Sequence, residues 1–340
     1  MPCFTFPQPS LNAVETMPAA MTLKARLALE LPAINKALDK ALHNLPTAVL
    51  PVARHILEAG GKRLRPLLLV LMARLLGRDD ARIRDLAVTL EMLHAATLLH
   101  DDVLDNALTR RGKPAAQTLF SVPTVILAGD ALLAEANALV AAWGDKRLSL
   151  CFSQATSHTA AGEILEIAAQ RRVDVTASAY TEMIRGKTAW LIRAACEMGA
   201  LAAEADAAQV EAAAGYGENI GMAFQLVDDA LDFAAQSVTG KPTGGDVREG
   251  KLTLPLRLYR DNLQEAERTA FDAAFCAGRL SAEEAAVIAE RIRDMGYDVR
   301  AREEANVYLV AARQALEILP PRPERQLLNL MADYVRDRQK

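Results

Sequence analysis

Apolar residues recur every three or four positions along almost the whole chain, and that period predicts a succession of helices. Leu27, Leu31, Ile34, Leu38 and Leu42 mark the first, over 23–45. A second runs over 52–58 and stops at Gly60-Gly61. A third opens near Pro66, a favoured first-turn residue, and is apolar nearly all round over 67–76, which predicts burial. Long helices are expected over 82–104, 124–143, 150–171, 178–201 and 207–233, then shorter surface helices over 253–260, 264–276, 282–295 and 299–318, and, after the break at Pro320–Pro323, a last helix over 324–338. No convincing alternating strand, interdomain linker or fixed-period repeat interrupts the pattern. The expectation is an all-α, single-domain helical bundle over 22–340, behind a flexible, proline-containing tail of residues 1–21.

Two of these helices end in acid. Glu91 to Gly112 reads E-M-L-H-A-A-T-L-L-H-D-D-V-L-D-N-A-L-T-R-R-G, and its apolar first part runs into Asp101, Asp102 and Asp105. Asp101 and Asp105 are four apart and share a helix face, where their charges repel. A bound cation relieves that repulsion, and oxygen-only ligands suit a hard ion such as Mg²⁺. The 207–233 helix ends the same way, in Asp228, Asp229 and Asp232. One D-D-x-x-D is common on a solvated face; two, each closing an apolar helix, are hard to explain as surface. If the two faced each other they would line one cavity holding several Mg²⁺ ions, with Lys62, Arg65, Arg110, Arg111, Lys187 and Lys241 completing a pocket for two polyphosphates.

Two segments between helices carry charge. Gly60-Gly61-Lys62-Arg63-Leu64-Arg65-Pro66 places a basic loop at a helix start, where free N–H groups and the dipole favour anions. A solvated turn is the plain alternative. The polar, glycine-rich stretch 240–251 has the composition of a lid. Glu163, Glu166 and Gln170 share a helix face, and for Gln170 an ordinary polar surface is the simpler reading.

Composition supports this without adding a site. The chain of 340 residues is 51% hydrophobic but only 5% aromatic, rich in the strong helix formers Ala and Leu. Its net charge of -4 predicts no nucleic-acid partner, so any anion site is local. Cys3, Cys151, Cys196 and Cys276 form no C-x-x-C pair, which points to a reducing, cytoplasmic setting. No apolar run approaches the length of a transmembrane segment.

Taken together, the motifs resemble the trans-polyprenyl diphosphate synthases, which elongate isoprenyl chains head to tail. The resemblance runs from Gly60 nearly to the C-terminus. It rests on G-G-K-R-L-R-P at 60–66, H-A-A-T-L-L-H-D-D-V-L-D at 94–105, R-R-G at 110–112, A-G-D at 128–130, G-K-T-A at 186–189, F-Q-L-V-D-D-A-L-D at 224–232 and G-K-P-T-G-G-D-V-R-E-G-K-L-T-L-P at 240–255. It implies the isoprenoid synthase type of bundle with a central cavity, three Mg²⁺ ions, a homodimer, and isopentenyl diphosphate and an allylic diphosphate as substrates. Asp101 and Asp105 would bind two ions and Asp228 a third, with Asp102, Asp229 and Asp232 in support. Arg110, Lys187 and Lys241 would hold the allylic diphosphate, with Gln225 close by. Lys62, Arg65, His94 and Arg111 would hold isopentenyl diphosphate; His94 lies seven residues before Asp101, on nearly the same face. Thr188 would sit near the allylic cation.

The resemblance also bears on product length. Family members that stop at C15 carry aromatic residues one turn before the first motif. This chain has Ala96 and Thr97 there, so a C20 or longer product is expected, with Leu93 a candidate floor two turns back. Gln117, Pro123 and Glu166 depart from the family pattern: Asn and Gln are usual at 117 and 166, and Pro123 is expected to interrupt the segment that follows it. A C15 synthase, a terpene cyclase and a non-catalytic subunit of a heteromeric synthase are the alternatives. The last two usually lose one aspartate motif, and this chain has both.

Overall fold

A computed structural model describes residues 19–235 and 243–338. The helices follow the predicted order, with ends that move by a few residues. They are α1 (Ala19–Leu42), α2 (Leu50–Leu57), α3 (Leu64–Leu75), α4 (Ala81–Leu104), α5 (Ala116–Leu119), α6 (Val122–Ala141), α7 (Lys146–Ala169) and α8 (Ala177–Ile184). After a π turn at Arg185–Ala189 come α9 (Trp190–Ala202), α10 (Ala207–Asp232), α11 (Gly245–Glu249), α12 (Leu254–Asp261), α13 (Glu265–Cys276), α14 (Ala282–Asp294), α15 (Tyr297–Glu317) and α16 (Pro323–Arg336). The expected tail over 1–21 lies outside the described residues except for its last three, which already belong to α1.

The chain divides into two compact units, and all the divisions but the one at Ile318–Leu319 fall inside helices. The first takes residues up to Thr156, Ala194–Ala213 and Leu319–Leu330. The second takes Ser157–Arg193, Ala214–Ile318 and the residues from Met331 on.

In the first unit α3 is buried on nearly every side, as its uniform apolarity predicts. Helix α4 packs chiefly along α6, and also against α1 and α3. Asp80 opens α4 by accepting a hydrogen bond from Ile83 N at 3.1 Å. Helix α6 corrects the expectation that no apolar run reaches membrane length. By length and composition it could cross a bilayer, and it is the one such helix among the described residues. It is held close to α4 at Gly129, where a Cβ would come within 2.4 Å of the His100 ring; that gap lets His100 Nε2 bond the Ile126 carbonyl at 3.1 Å. Pro123 does not interrupt this segment. It sits in the first turn of α6, where a missing N–H costs nothing.

In the second unit the expected continuous helix over 178–201 is broken by the π turn. Glycines bring α7 against that turn: a Cβ on Gly162 would lie 2.2 Å from Lys187 N, and one on Gly186 2.8 Å from Gly162 Cα. The shorter helices near the C-terminal end, expected at the surface, instead close a core of their own around Phe233, Val247, Leu256, Tyr259, Phe275 and Ile292.

Candidate active site

The first unit gathers the acids and bases of the opening motif. Helix α4 ends at Leu104, so Asp101 and Asp102 occupy its last turn and Asp105 is the residue that follows. Acids there face the negative end of the helix dipole, a destabilising placement of about 0.3–1 kcal/mol each. The exposed Asp105 N–H bonds Asp101 O at 2.8 Å, which keeps the two carboxylates one turn apart on one side. Asp102 turns the other way. It is fully buried and takes the Arg110 guanidinium, with Nε at 2.7 Å and Nη2 closer still. Its second oxygen is buried without a hydrogen-bond partner.

Arg110 and Arg111 are placed by a small hairpin that the sequence did not disclose. Thr109–Arg110 pairs antiparallel with Lys113–Pro114, and Arg111 and Gly112 form the two-residue turn at φ 53° and 75°. Both central residues in the left-handed region match the turn type that suits a twisted hairpin. Arg110 points back to Asp102, while Arg111 donates to the Gly60 carbonyl of the basic loop. In that loop Arg63 is structural: at φ 48° it ends the turn before α3, and its buried guanidinium bonds Glu91 at 2.6 Å and the Leu57 carbonyl. Lys62 is exposed and Arg65 half-buried, with its Nε lacking a hydrogen-bond partner. His94 lies among these arginines. Burial, with the charges of Arg65, Arg111, Arg110 and Arg63, holds its imidazole well below the usual histidine range. Departing Gln117 donates to the Ala107 carbonyl at 2.7 Å and so steadies the chain after the acids.

The second unit gathers the rest. Lys187 leaves the π turn and meets Glu163 and Glu166, each at 2.8 Å. Lys251 meets the same Glu166 at 3.0 Å and Glu249 at 2.8 Å. Burial opposes the charges on Lys187 and Glu166, but the pairing outweighs it, raising the lysine and lowering the glutamate. Thus Glu166, a departure in the sequence, is the shared counter-charge of two lysines. Thr188 Oγ1 donates to Gln225 Oε1 at 2.6 Å, and Gln225 Nε2 donates to Asp229 Oδ1 at 2.8 Å. The Tyr180 hydroxyl donates to the other oxygen of Asp229. Burial, with Asp228 and Glu166 near, pushes Asp229 up to about 7 in spite of those hydrogen bonds.

Asp228 is half-exposed, with Arg338 Nη1 at 2.9 Å; that guanidinium also lies 4.4 Å above the Phe224 ring. Asp232 caps α11: its carboxylate accepts from Asp246 N at 2.9 Å and its carbonyl from Gly244 N at 3.0 Å. Hence the glycine-rich stretch is in part a short anchored helix. Gln170, expected on plain surface, helps hold it by donating to the Glu249 carbonyl at 2.8 Å. Lys241 and the rest of 236–242 lie outside the described residues. Among the described residues no three His, Cys, Asp or Glu side chains converge as a metal cage.

Sequence reasoning missed Tyr180, Lys251, the pairing of Arg338 with Asp228 and that of Arg63 with Glu91. Lys251 stood inside a quoted motif, and its charge was the available signal. Nothing local marks Tyr180, which lies 49 residues from the carboxylate that it bonds. The π turn was a second missed feature; single turns of this kind recur at functional sites, and this one carries Lys187 and Thr188.

Comparison with known proteins gives one answer. The family profile Polyprenyl synthetase matches residues 46–292. The all-trans-nonaprenyl-diphosphate synthase (geranyl-diphosphate specific) of Rhodobacter capsulatus is 35% identical over 318 residues, covering 92% of this chain and 96% of that one. Heptaprenyl diphosphate synthase component 2 of Geobacillus stearothermophilus is 36% identical, covering 93% and 98%. Among solved structures, a decaprenyl diphosphate synthase from Rhodobacter capsulatus is similar at a TM-score of 0.87 and 36% identity, over 95% of this chain and 100% of that one. A polyprenyl synthase from Caulobacter crescentus CB15, complexed with calcium and isoprenyl diphosphate, is similar at 0.86 and 36%, over 94% and 97%. Helical bundle, paired aspartate motifs and relatives agree, and the chain belongs to the polyprenyl synthetase family of prenyltransferases, enzymes that join isoprenyl diphosphates head to tail.

Proposed function

We propose that this enzyme makes a linear all-trans prenyl diphosphate of C20 or longer from isopentenyl diphosphate and an allylic primer. The observation that carries the length is the pair of small side chains one turn before the acids. Ala96 is buried, and the Thr97 hydroxyl is turned back onto the His94 carbonyl at 2.9 Å. A growing tail passes such residues, where an aromatic ring would stop it. Leu93, buried a turn further on, is the floor.

The donors fit a hard dication. They are carboxylate oxygens at the ends of two helices whose dipoles favour positive charge there. Asp101 and Asp105 would hold two Mg²⁺ ions and Asp228 a third, with Asp102, Asp229 and Asp232 in support. Bound Mg²⁺ supplies Lewis-acid neutralisation of the departing pyrophosphate. Arg110, fixed by Asp102, holds the allylic diphosphate with Lys187 and Lys241; Lys251, sharing Glu166 with Lys187, joins them. Gln225 lies beside that diphosphate. Lys62, Arg65, His94 and Arg111 hold isopentenyl diphosphate. Thr188 offers oxygen to the allylic cation, the C3–C4 double bond of isopentenyl diphosphate attacks it, and the released pyrophosphate takes the proton lost. The buried thiols of Cys151 and Cys196 stay reduced in the cytoplasm, where we place the enzyme.

The test is incubation with isopentenyl diphosphate, Mg²⁺ and, in turn, dimethylallyl, geranyl and farnesyl diphosphates, with products sized after dephosphorylation. Products of C20 or longer are expected, and longer ones still from Leu93→Ala. A C15 end point would overturn the length, and no elongation from any primer would leave the chain as a subunit that needs a partner.

A further inference from the structure

Behind the π turn runs an unbroken line of four side chains, all in the second unit. Tyr180 on α8 donates to Asp229, Gln225 donates to the other oxygen of Asp229 at 2.8 Å, and Thr188 donates to Gln225 at 2.6 Å. Gln225 and Asp229 are one turn apart on α10. Tyr180, Asp229 and Thr188 are buried, at 5%, 5% and 8% exposure, so water does not compete freely for these bonds.

The direction of each bond follows from the one before it. A carboxylate oxygen engaged this way accepts, so Gln225 must turn its NH₂ to Asp229. Its carbonyl is then the end that faces Thr188. A carbonyl only accepts, so the Thr188 hydroxyl must donate its proton to Gln225 and keep its lone pairs for whatever lies on its open side. A free hydroxyl rotates; this one is set. Fixed dipoles aimed at developing charge need no reorganisation when the charge appears.

We propose that Tyr180 is a positioning residue for the ionisation step: through Asp229 and Gln225 it fixes the rotation of the Thr188 hydroxyl, so that lone pairs rather than the O–H face the allylic cation. The inference rests on the reading of Thr188 given above. Tyr180 itself touches neither diphosphate. Without its hydroxyl, one oxygen of a buried carboxylate loses its donor, Asp229 is free to turn, and the amide of Gln225 is no longer held in one orientation.

The test is a double-mutant cycle on the full-length enzyme, with single-turnover elongation as the readout. Tyr180→Phe keeps the ring and removes the hydroxyl. Loss of a fixed dipole acting directly on developing charge costs on the order of 10²–10³ in rate, and loss of its orientation through two intermediaries is expected to cost about tenfold. KM for both diphosphates should stay within about twofold of wild type. Thr188→Val removes the oriented oxygen, and in that background Tyr180→Phe should have no further effect. An equal tenfold loss in both backgrounds would make Tyr180 merely structural and overturn the proposal, as would wild-type turnover in Tyr180→Phe. Should Tyr180→Phe melt below the assay temperature, the cycle of Gln225→Leu with Thr188→Val asks the same question of the next link, with non-additivity expected and additivity decisive against it. Failure of the underlying reading looks different: Thr188→Val alone would then turn over at the wild-type rate.

Discussion

Asp101 and Asp102 are neighbours with opposite surroundings, and the difference decides what each can do. Asp102 is committed to Arg110 inside the protein, whereas Asp101 and Asp105 line up along one side of the helix end. Asp101→Asn should therefore cut turnover by on the order of 10³; near-full activity would overturn the metal assignment. Glu166→Gln should act in the opposite sense. On the proposed reading the carboxylate would compete with an incoming diphosphate for Lys187 and Lys251, so its neutral counterpart should lower KM for the allylic substrate about threefold, a change of under 1 kcal/mol, and steepen the dependence on salt. A raised KM would mean that Glu166 serves chiefly to hold the two lysines in place. His94 offers a pH test. Its pKa is depressed by burial and by four arginines, so its contribution to stability is complete above the ordinary value of about 6.5 and is lost as pH falls through the lower folded value. In urea titrations the wild type should lose stability relative to His94→Gln as pH falls from 7 to 5. A constant gap would assign the acid sensitivity elsewhere.

Among the elements, the glycines set how close the helices come. Gly186 and Gly215 form a contrasting pair. A Cβ at Gly186 would collide with the backbone of α7, while at Gly215, in the middle of α10, nothing lies within 4 Å. Gly186→Ala should displace Lys187 and Thr188, lower the melting temperature and abolish activity. Gly215→Ala should be neutral or stabilising by up to about 1 kcal/mol. The same contrast marks what the sequence disclosed. Long helices were legible because a period of 3.6 repeated over several turns leaves a redundant signal. The hairpin at 109–114 has two-residue strands, too short for any period, and the π turn adds one residue to a pattern that otherwise continues. Helix α11 is flanked by Gly244 and Gly250 at φ 72° and 76°, so its composition reads as loop. Arg63 and Arg65 look alike in a basic segment; only Glu91, 28 residues on, distinguishes the one that is structural.

For the whole molecule, the aspartate motifs, the basic segments and the family were readable from the chain, but the pairing partners were not. Lys187 with Glu166, Lys251 with Glu166 and Arg338 with Asp228 are separated by tens of residues, and charge alone does not say which carboxylate meets which cation. The surface holds a further expectation. Leu119, Val122, Ile126 and Leu127 leave large apolar side chains exposed around the start of α6. Such a cluster marks an interaction surface, and we expect a second copy of the chain to cover it. Sedimentation should give a dimer that Leu127→Asp weakens, whereas a wild-type monomer at micromolar concentration would reject this face.

Helix α4 is one continuous run of 24 residues with the acids at one end. At 1.5 Å per residue, Leu93 lies about 12 Å from Asp101 along the same rod. On the proposed reading, chemistry and measurement of the product would be carried by separate stretches of one helix. Substitutions at the far stretch leave the acids undisturbed, so product size can diverge in descent without passing through an inactive ancestor. Relatives at similar identity carry names that run from geranylgeranyl to nonaprenyl, a spread that such independence would allow.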